Sequence, residues 1–346
     1  MKTLLVTIDF PPLTGGIAHY YLNRVQKMPR EKIVILMNKV KKSETQNVQT
    51  QKKIYYKNFF IKSIWPHWLP CIWHIWRIVK KEKIERIWVG QVLPVGTATW
   101  LVVKLLNILD PGFRRDDKKL KFFVTCHGND ILLAQNSSRK FKLASKILKN
   151  AEFIEANTKF VQDILISDYK IDAAKIKVIY PECNLDKNMI NPNRVEELKK
   201  LYNLTDKKVL LTVARLVKGK GIDKVIQALP LVLEKIPNLT YLIVGDGSEK
   251  ENLKNVGTGL DLSDRIIFAG NVFHSDLPNF YALANAFILT PTDTESFGIV
   301  YLEAQEFGLP IIAGRSGGVE EIKYNQMHLV NSQDIKEIAE KIIQIL

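Results

Sequence analysis

The chain has 346 residues, 46% of them apolar and 25% charged, with a net charge of +14. That length exceeds one ordinary domain and suits two of roughly 150–190 residues each. The composition is that of a soluble globular protein, and no apolar run reaches the roughly 18–20 residues of a membrane span. The basic then apolar start, Met1-Lys2-Thr3 followed by Leu4–Ile8, is short and ends in Asp9-Phe10-Pro11-Pro12, so it reads as a buried strand and not as a signal peptide. Cys71, Cys126 and Cys183 have neither metal spacing nor a disulfide framework, which fits a reducing cytoplasm. Residues 1–180 hold 32 Lys and Arg against 14 Asp and Glu, a net of +18; residues 181–346 hold 18 against 22, a net of −4. The first half therefore suits an anionic partner: a membrane surface, a phosphorylated substrate or nucleic acid.

In chain order, Leu4–Ile8, Ile33–Leu36, Arg86–Val89, Lys121–Thr125 and Phe153–Ala156 read as buried strands. Helical-period segments Ala18–Gln26, Cys71–Lys81, Thr97–Leu106 and Arg139–Leu148 lie between them. The series restarts after residue 190 with strands at Val209–Val213, Tyr241–Val244, Arg265–Phe268, Ala286–Thr290 and Pro310–Ala313. Helices are expected at Asp223–Ile236, Asp276–Ala284, Phe297–Phe307, Val319–Tyr324 and onward from Asp334. Such alternation predicts two Rossmann-like α/β domains with doubly wound parallel sheets. Pro181 to Pro192, with Asn184, Asn188 and Asn191, has the chemistry of a hinge loop. Ligands of doubly wound sheets sit at the carboxyl ends of strands, so the loops there are where chemistry is sought.

Four such loops stand out. Pro11-Pro12-Leu13-Thr14-Gly15-Gly16 follows the first strand; its glycines allow close backbone approach, with helix-start amides facing an anion, unless it is simply a tight turn. Thr125-Cys126-His127-Gly128-Asn129-Asp130 places an imidazole past a strand end with a carboxylate able to orient it, or else a structural histidine. In Arg215-Leu216-Val217-Lys218-Gly219-Lys220-Gly221, Arg215 offers a planar fork and Lys220 a point charge, together enough to neutralise a diphosphate. No Walker spacing is present. In Thr292–Ala304, Ser296, Phe297, Gly298 and Ile299 open a helix with free amides for phosphate oxygens. Glu303 lies about two turns into that helix, where it can accept ribose hydroxyls, and Glu295 stays in the loop facing whatever the phosphate carries.

With these residues the sequence resembles the retaining glycosyltransferases of family 4, over nearly the whole chain. Gly15-Gly16 is similar to the family's glycine loop, His127-Gly128-Asn129-Asp130 to its H-G-x-D, Arg215 and Lys220 to its R…K pair, and Glu295…Glu303 to its E-x7-E. Phe268–Val272 resembles the loop that holds the base, through backbone groups around Val272, and Gly317–Glu321 the family's G-G-x-x-E. The linker departs from the family form, reading Tyr180–Asp186 without P-N-G-V-D, and the chain stops at Leu346 where relatives usually continue. The resemblance implies the GT-B fold: two Rossmann-like domains facing across a cleft, residues 1–183 for the acceptor and 184–346 for the nucleotide sugar. It implies a glycosyltransferase that moves a hexose from a UDP- or GDP-linked donor with retention. No cofactor or metal is called for, since Arg215 and Lys220 supply the positive charge; Asp293-Thr294-Glu295 is only a loose variant of a metal-binding D-x-D. His127 and Glu295 are expected beside the transferred sugar.

The acceptor side is read from Ile64–Lys83. Trp65, Trp68, Trp73 and Trp76 lie there, flanked by Lys62, Arg77, Lys80 and Lys81, a composition suited to a membrane interface. A core helix at Cys71–Lys83 is the competing reading of part of it. The acceptor expected is a lipid-linked glycan or phospholipid in cell-envelope polysaccharide synthesis, on the inner face of the cell membrane. Rivals are weaker. A nucleotide-sugar epimerase or a phosphorylase shares the fold class; nucleic-acid binding lacks any zinc-finger spacing or RNP-like motif; and Gly245-Asp246-Gly247 lacks the third glycine of a dinucleotide fingerprint.

Overall fold

A computed structural model describes residues 1–13, 15–39, 50–109, 119–183 and 185–346. Thr14 of the glycine loop and Asn184 of the hinge fall outside the described residues. Two compact units divide the chain, Met1–Pro181 and Glu182–Leu346.

The first unit runs β1 (Thr3–Thr7), α1 (Gly16–Gln26), β2 (Ile33–Asn38), β3 (Lys53–Lys57), α2 (Leu69–Glu82), β4 (Arg86–Val89) and α3 (Val95–Leu109). It continues through β5 (Lys121–Cys126), α4 (Asn129–Gln135), α5 (Ser138–Asn150), β6 (Ile154–Ala156), α6 (Lys159–Ser167) and β7 (Ile176–Val178). The strand order is β3-β2-β1-β4-β5-β6-β7, and the pairs are parallel. Side chains alternate across each strand. Leu4, Val6, Ile87, Val89, Phe122 and Val124 enter one core with α2 and α3. On the other face Trp88, Phe123 and Phe153 stack in a row, their centroids 5.7 and 4.5 Å apart, with Arg24 of α1 4.6 Å over the Trp88 ring.

The second unit runs α7 (Pro192–Leu201), β8 (Lys208–Val213), α8 (Ile222–Leu233), β9 (Leu239–Val244), α9 (Lys250–Gly259) and β10 (Ile266–Gly270). After it come α10 (Leu277–Leu283), β11 (Ala286–Leu289), α11 (Ile299–Glu306), β12 (Ile311–Gly314), β13 (Met327–Val330) and α12 (Ile335–Ile345). Its order is β10-β9-β8-β11-β12-β13, again parallel. Strands such as Leu239–Val244 are buried along their whole length, because helices cover both faces. Two separate cores result, one holding Leu211, Leu242 and Phe287, the other Leu210, Tyr241 and Ile288. In each sheet the chain order reverses at the first strand, at β1/β4 and at β8/β11. Loops at that point diverge and leave room for a ligand.

The doubly wound fold class and its main elements stand as the sequence predicts. The departures have local causes. Lys53–Lys57 forms an edge strand that begins and ends on exposed lysines and has no fully buried residue, so it shows no buried run. Asn191, read as loop chemistry, caps α7 by accepting from the amides of Asn193 and Arg194, with Pro192 opening the helix. The helix expected at Val319–Tyr324 is instead a 3-10 turn over Gly317–Glu321, where the Gly318 amide is held by Glu295 O at 3.1 Å. A helix likewise expected from Phe297 begins only at Ile299, because Gly298 adopts φ +80° before it.

Gly221 caps α8 with φ +71°, and a Cβ built there would lie 1.6 Å from Thr290 O. Neither the backbone nor the neighbouring strand end can yield cheaply. Gly221→Ala should therefore lower unfolding free energy by at least about 2 kcal/mol. Denaturant titration of the variant beside the parent checks this; a loss below about 0.5 kcal/mol contradicts the packing described.

Candidate active site

At the β8/β11 switch point two loops lie against each other. Gly219 O accepts from the amides of Thr292 (2.9 Å) and Asp293 (3.2 Å), and a Cβ on Gly219 would fall 2.0 Å from Asp293 Oδ2. Glycine at 219 and 221 is what allows this approach. Further loops brace the pair. Leu216 N donates to Asp246 O at 2.9 Å, and Gly247 lies so close that a Cβ would meet Leu216 O at 2.2 Å. Ser316 Oγ accepts from Glu295 N at 2.9 Å and donates to Asp293 O at 3.0 Å. Four strand ends thus fix one cradle.

Within it Lys220 Nζ donates to Glu295 Oε2 at 2.5 Å, both side chains being partly buried. Arg215 is exposed and makes no ion pair among the described residues. Ser296 Oγ is sealed from solvent and hydrogen-bonds no described residue, an unmet hydroxyl beside the start of α11. Such a group ordinarily costs about 1–3 kcal/mol, which a ligand oxygen could relieve. Gly298 caps α11, whose first amides lack partners within the helix. Phe297 points into the core, so only its backbone is available; Ile299 and Val272 are half-buried and pack on the same core. A free guanidinium, an ammonium, an orphan hydroxyl and helix-start amides together suit a diphosphate.

Glu303 corrects the sequence expectation in one respect. It lies just over one turn into α11, not two, because the helix starts at Ile299. The carboxyl is buried, and Tyr281 donates to its Oε2 at 2.7 Å. Burial pushes its pKa up to about 7, opposed by that hydrogen bond. Tyr281 was not legible as a site residue, since a tyrosine in an apolar helix reads as core.

In the first unit Gly15 adopts φ +136°, with no atom within 4 Å of a Cβ position, and Gly16 opens α1. Open space and free amides are consistent with anion approach there. His127 is buried, and its partner is not the one the sequence suggested. Asp130 accepts from the amides of His127 and Ile131 (both 3.1 Å), shaping the loop rather than orienting the ring. Tyr21 Oη takes the ring instead, 2.6 Å from Nε2. Burial, with Arg24 adding to it, pushes the His127 pKa down to about 3, so the imidazole is neutral. Buried Asp130 is pushed up to about 6.

The tryptophan segment splits. Trp65 is 84% exposed and Trp73 56%, near exposed Phe60, Ile61, Ile64 and Leu69. Lys62, Arg77, Lys80 and Lys81 are exposed around them. Trp68 and Trp76 are half-buried and pack against the core, so they offer less surface than Trp65 and Trp73. No helix among the described residues is long and apolar enough to cross a membrane.

The family model described as Glycosyltransferase Family 4 matches residues 14–187, and that described as Glycosyl transferases group 1 matches residues 193–346. The chain belongs to glycosyltransferase family 4, with the two-unit Rossmann-like GT-B fold, and it is a glycosyltransferase. It is similar to the GDP-mannose-dependent alpha-(1-6)-phosphatidylinositol monomannoside mannosyltransferase of Mycolicibacterium smegmatis, with 26% identity covering 92% of this chain and 81% of that one. A monoacylated-substrate counterpart from Corynebacterium glutamicum is 29% identical over 100% of this chain and 88% of its own. Among solved structures, Anabaena HepE in complex with UDP and glucose has a TM-score of 0.80 at 22% identity, covering 99% of this chain and 89% of that one.

The raised Glu303 pKa has a sign. Below about pH 4.5 the group is protonated folded and unfolded alike, so nothing is lost. Between about pH 4.5 and about pH 7 the unfolded chain ionises the group while the folded state keeps it protonated, so up to ~3 kcal/mol of stability is lost as pH rises through that window. Glu303→Gln should therefore exceed the parent in stability at about pH 8, with no gain at about pH 4. Urea unfolding at both pH values checks this, and an equal difference at each would contradict the buried-acid description.

Proposed function

We propose that the protein is a retaining, metal-independent hexosyltransferase that moves mannose from GDP-mannose to a phospholipid or lipid-linked glycan acceptor. The observation that carries the reading is the cradle at β8/β11, where backbone contacts hold the loop of Arg215 and Lys220 against the loop that leads through Ser296 to the α11 amides. The donor and acceptor classes are supported by the relatives named above, which use GDP-mannose and mannosylated phosphatidylinositol.

On this reading Arg215 and Lys220 hold the diphosphate, Glu303 holds the ribose, the backbone about Val272 holds the base, and the Gly15-Gly16 loop offers its amides to an anion. Cleavage of the sugar C1–O bond builds negative charge on the departing phosphate, which fixed cations stabilise by a few kcal/mol each, at about 2.7–4 kcal/mol for a well-placed donor. The acceptor oxygen bonds to C1 on the face the phosphate leaves, and its proton passes to the phosphate oxygen. Lys220 must exchange Glu295 for phosphate, which frees Glu295 to meet sugar hydroxyls. His127, being neutral, contributes a hydrogen bond to the sugar and not a charge.

Trp65 and Trp73 with Lys62, Arg77, Lys80 and Lys81 form the lipid-facing surface, on the inner face of the membrane. Aromatic rings lie at the headgroup level, and each nearby basic residue adds about 1 kcal/mol toward anionic lipid. Cell-envelope glycan synthesis is the process such an acceptor implies.

Transfer of label from GDP-mannose to a phosphatidylinositol mannoside in mixed vesicles tests the reading. Glu303→Ala and Arg215→Ala should each lower kcat/KM about 10- to 100-fold. Trp65→Ala with Trp73→Ala should weaken flotation with anionic vesicles while leaving GDP affinity unchanged. Transfer indifferent to Glu303 and Arg215 would sink the site; equal flotation of the tryptophan variant would sink the lipid surface.

A further inference from the structure

The hydrogen bonds around His127 fix more than its position. Tyr21 has one hydroxyl proton and two neighbours, Gly90 O at 2.5 Å and His127 Nε2 at 2.6 Å. A carbonyl oxygen only accepts, so the proton goes to Gly90. The second contact is then attractive only if Nε2 carries a hydrogen and donates to the tyrosine oxygen. One proton on the ring is all it has, because burial and Arg24 keep the second off at neutral pH.

We infer that Tyr21 is a positioning residue that locks His127 in its Nε2–H form, so that Nδ1 offers only a lone pair and selects a hydroxyl of the transferred sugar over a carboxylate. This rests on the proposed placement of His127 beside that sugar.

The surroundings hold the lock shut. Gly90 cannot move away from Tyr21: its amide donates to Val6 O at 2.8 Å, and a Cβ on it would lie 2.7 Å from the Thr7 side chain. The imidazole is gripped edge-on by Tyr20 and Tyr21, with centroids 5.2 and 5.3 Å away and planes at 89° to each. Tyr20 is pinned in turn, since Arg24 donates to its hydroxyl at 2.8 Å and also pairs with buried Glu155 through both terminal nitrogens. Asp130 does not compete for the ring, its oxygens being taken by the amides of His127, Ile131 and Val92. Nδ1 hydrogen-bonds no described residue and is not among the polar atoms sealed in the interior. It is an open acceptor. A sugar hydroxyl can donate to it. A uronate oxygen would set lone pair against lone pair in a dry place, leaving a charge unpaired.

The test uses the full chain labelled with 15N-histidine. The sequence holds six histidines, and His127→Ala identifies the resonances by their loss. Two-bond proton–nitrogen spectra should show His127 with Nε2 protonated and Nδ1 bare from about pH 6 to about pH 8, a range over which a free imidazole titrates. Tyr21→Phe should mix the two tautomers and lower kcat/KM for GDP-mannose about tenfold, with GDP affinity unchanged. His127→Asn, whose Oδ1 can stand where Nδ1 stood, should retain more transfer than His127→Ala, and the parent should prefer GDP-mannose to GDP-mannuronate. A proton on Nδ1 in the parent overturns the inference, as does a Tyr21→Phe protein with an unaltered tautomer. If that variant does not fold, the parent spectrum and the Asn/Ala pair still decide. Undiminished transfer by His127→Ala overturns the placement beside the sugar, and with it the selectivity, even where the tautomer is as described.

Discussion

At the β8/β11 switch point two loops are held together by direct backbone contact, and the candidate site is built on that contact. Gly219 O accepts two amides of the opposite loop, while Gly221 lies where any side chain would strike Thr290 O. Because β8 and β11 are adjacent although two further strands separate them in sequence, this contact is long-range in the chain but short in space. It sets Lys220 from one loop against Glu295 from the other. The Asp246 and Ser316 contacts then make the pair a rigid unit rather than two mobile tips.

Rigidity matters because the charges are few and of mixed sign. Lys220 is already neutralised by Glu295, whereas Arg215 is unpaired among the described residues. A diphosphate that displaces the Glu295 carboxylate replaces one charge-assisted hydrogen bond by another. The carboxylate so released stays held through its own backbone amide by Ser316. Glu303 contrasts with it: sealed beside Tyr281, it resists ionisation until a ligand hydroxyl or higher pH favours the anion. The first unit applies the same logic to a neutral group. Burial removes charge from His127, and Tyr21 decides which nitrogen keeps the proton.

Much of the fold was legible because parallel strands buried on both faces leave continuous apolar runs, as at Val209–Val213 and Ala286–Thr290. Edge strand Lys53–Lys57 escaped because three of its five residues are exposed and none is buried. The loops carrying Arg215, Lys220, Glu295 and Glu303 could be found from residue type after a strand end. Their partners could not. Tyr21, Tyr281 and Ser316 act through hydrogen bonds to residues 20 or more positions away, and no local spacing marks such pairs. Asp130 looked like a partner for His127 because it is three residues off, yet its carboxylate turns to backbone amides at the start of α4. Trp68 likewise resembled its exposed neighbours in composition and is separated from them only by the direction it faces.

The central claim is that Arg215 and Lys220 recognise the second phosphate of the donor. Calorimetric titration with GDP and with GMP isolates that phosphate. The parent should bind GDP at least about tenfold more tightly than GMP, a difference of about 1.4 kcal/mol. Arg215→Ala combined with Lys220→Ala should erase that difference and leave GMP affinity unchanged. Equal binding of the two nucleotides by the parent, or an equal loss for both in the double variant, would contradict it.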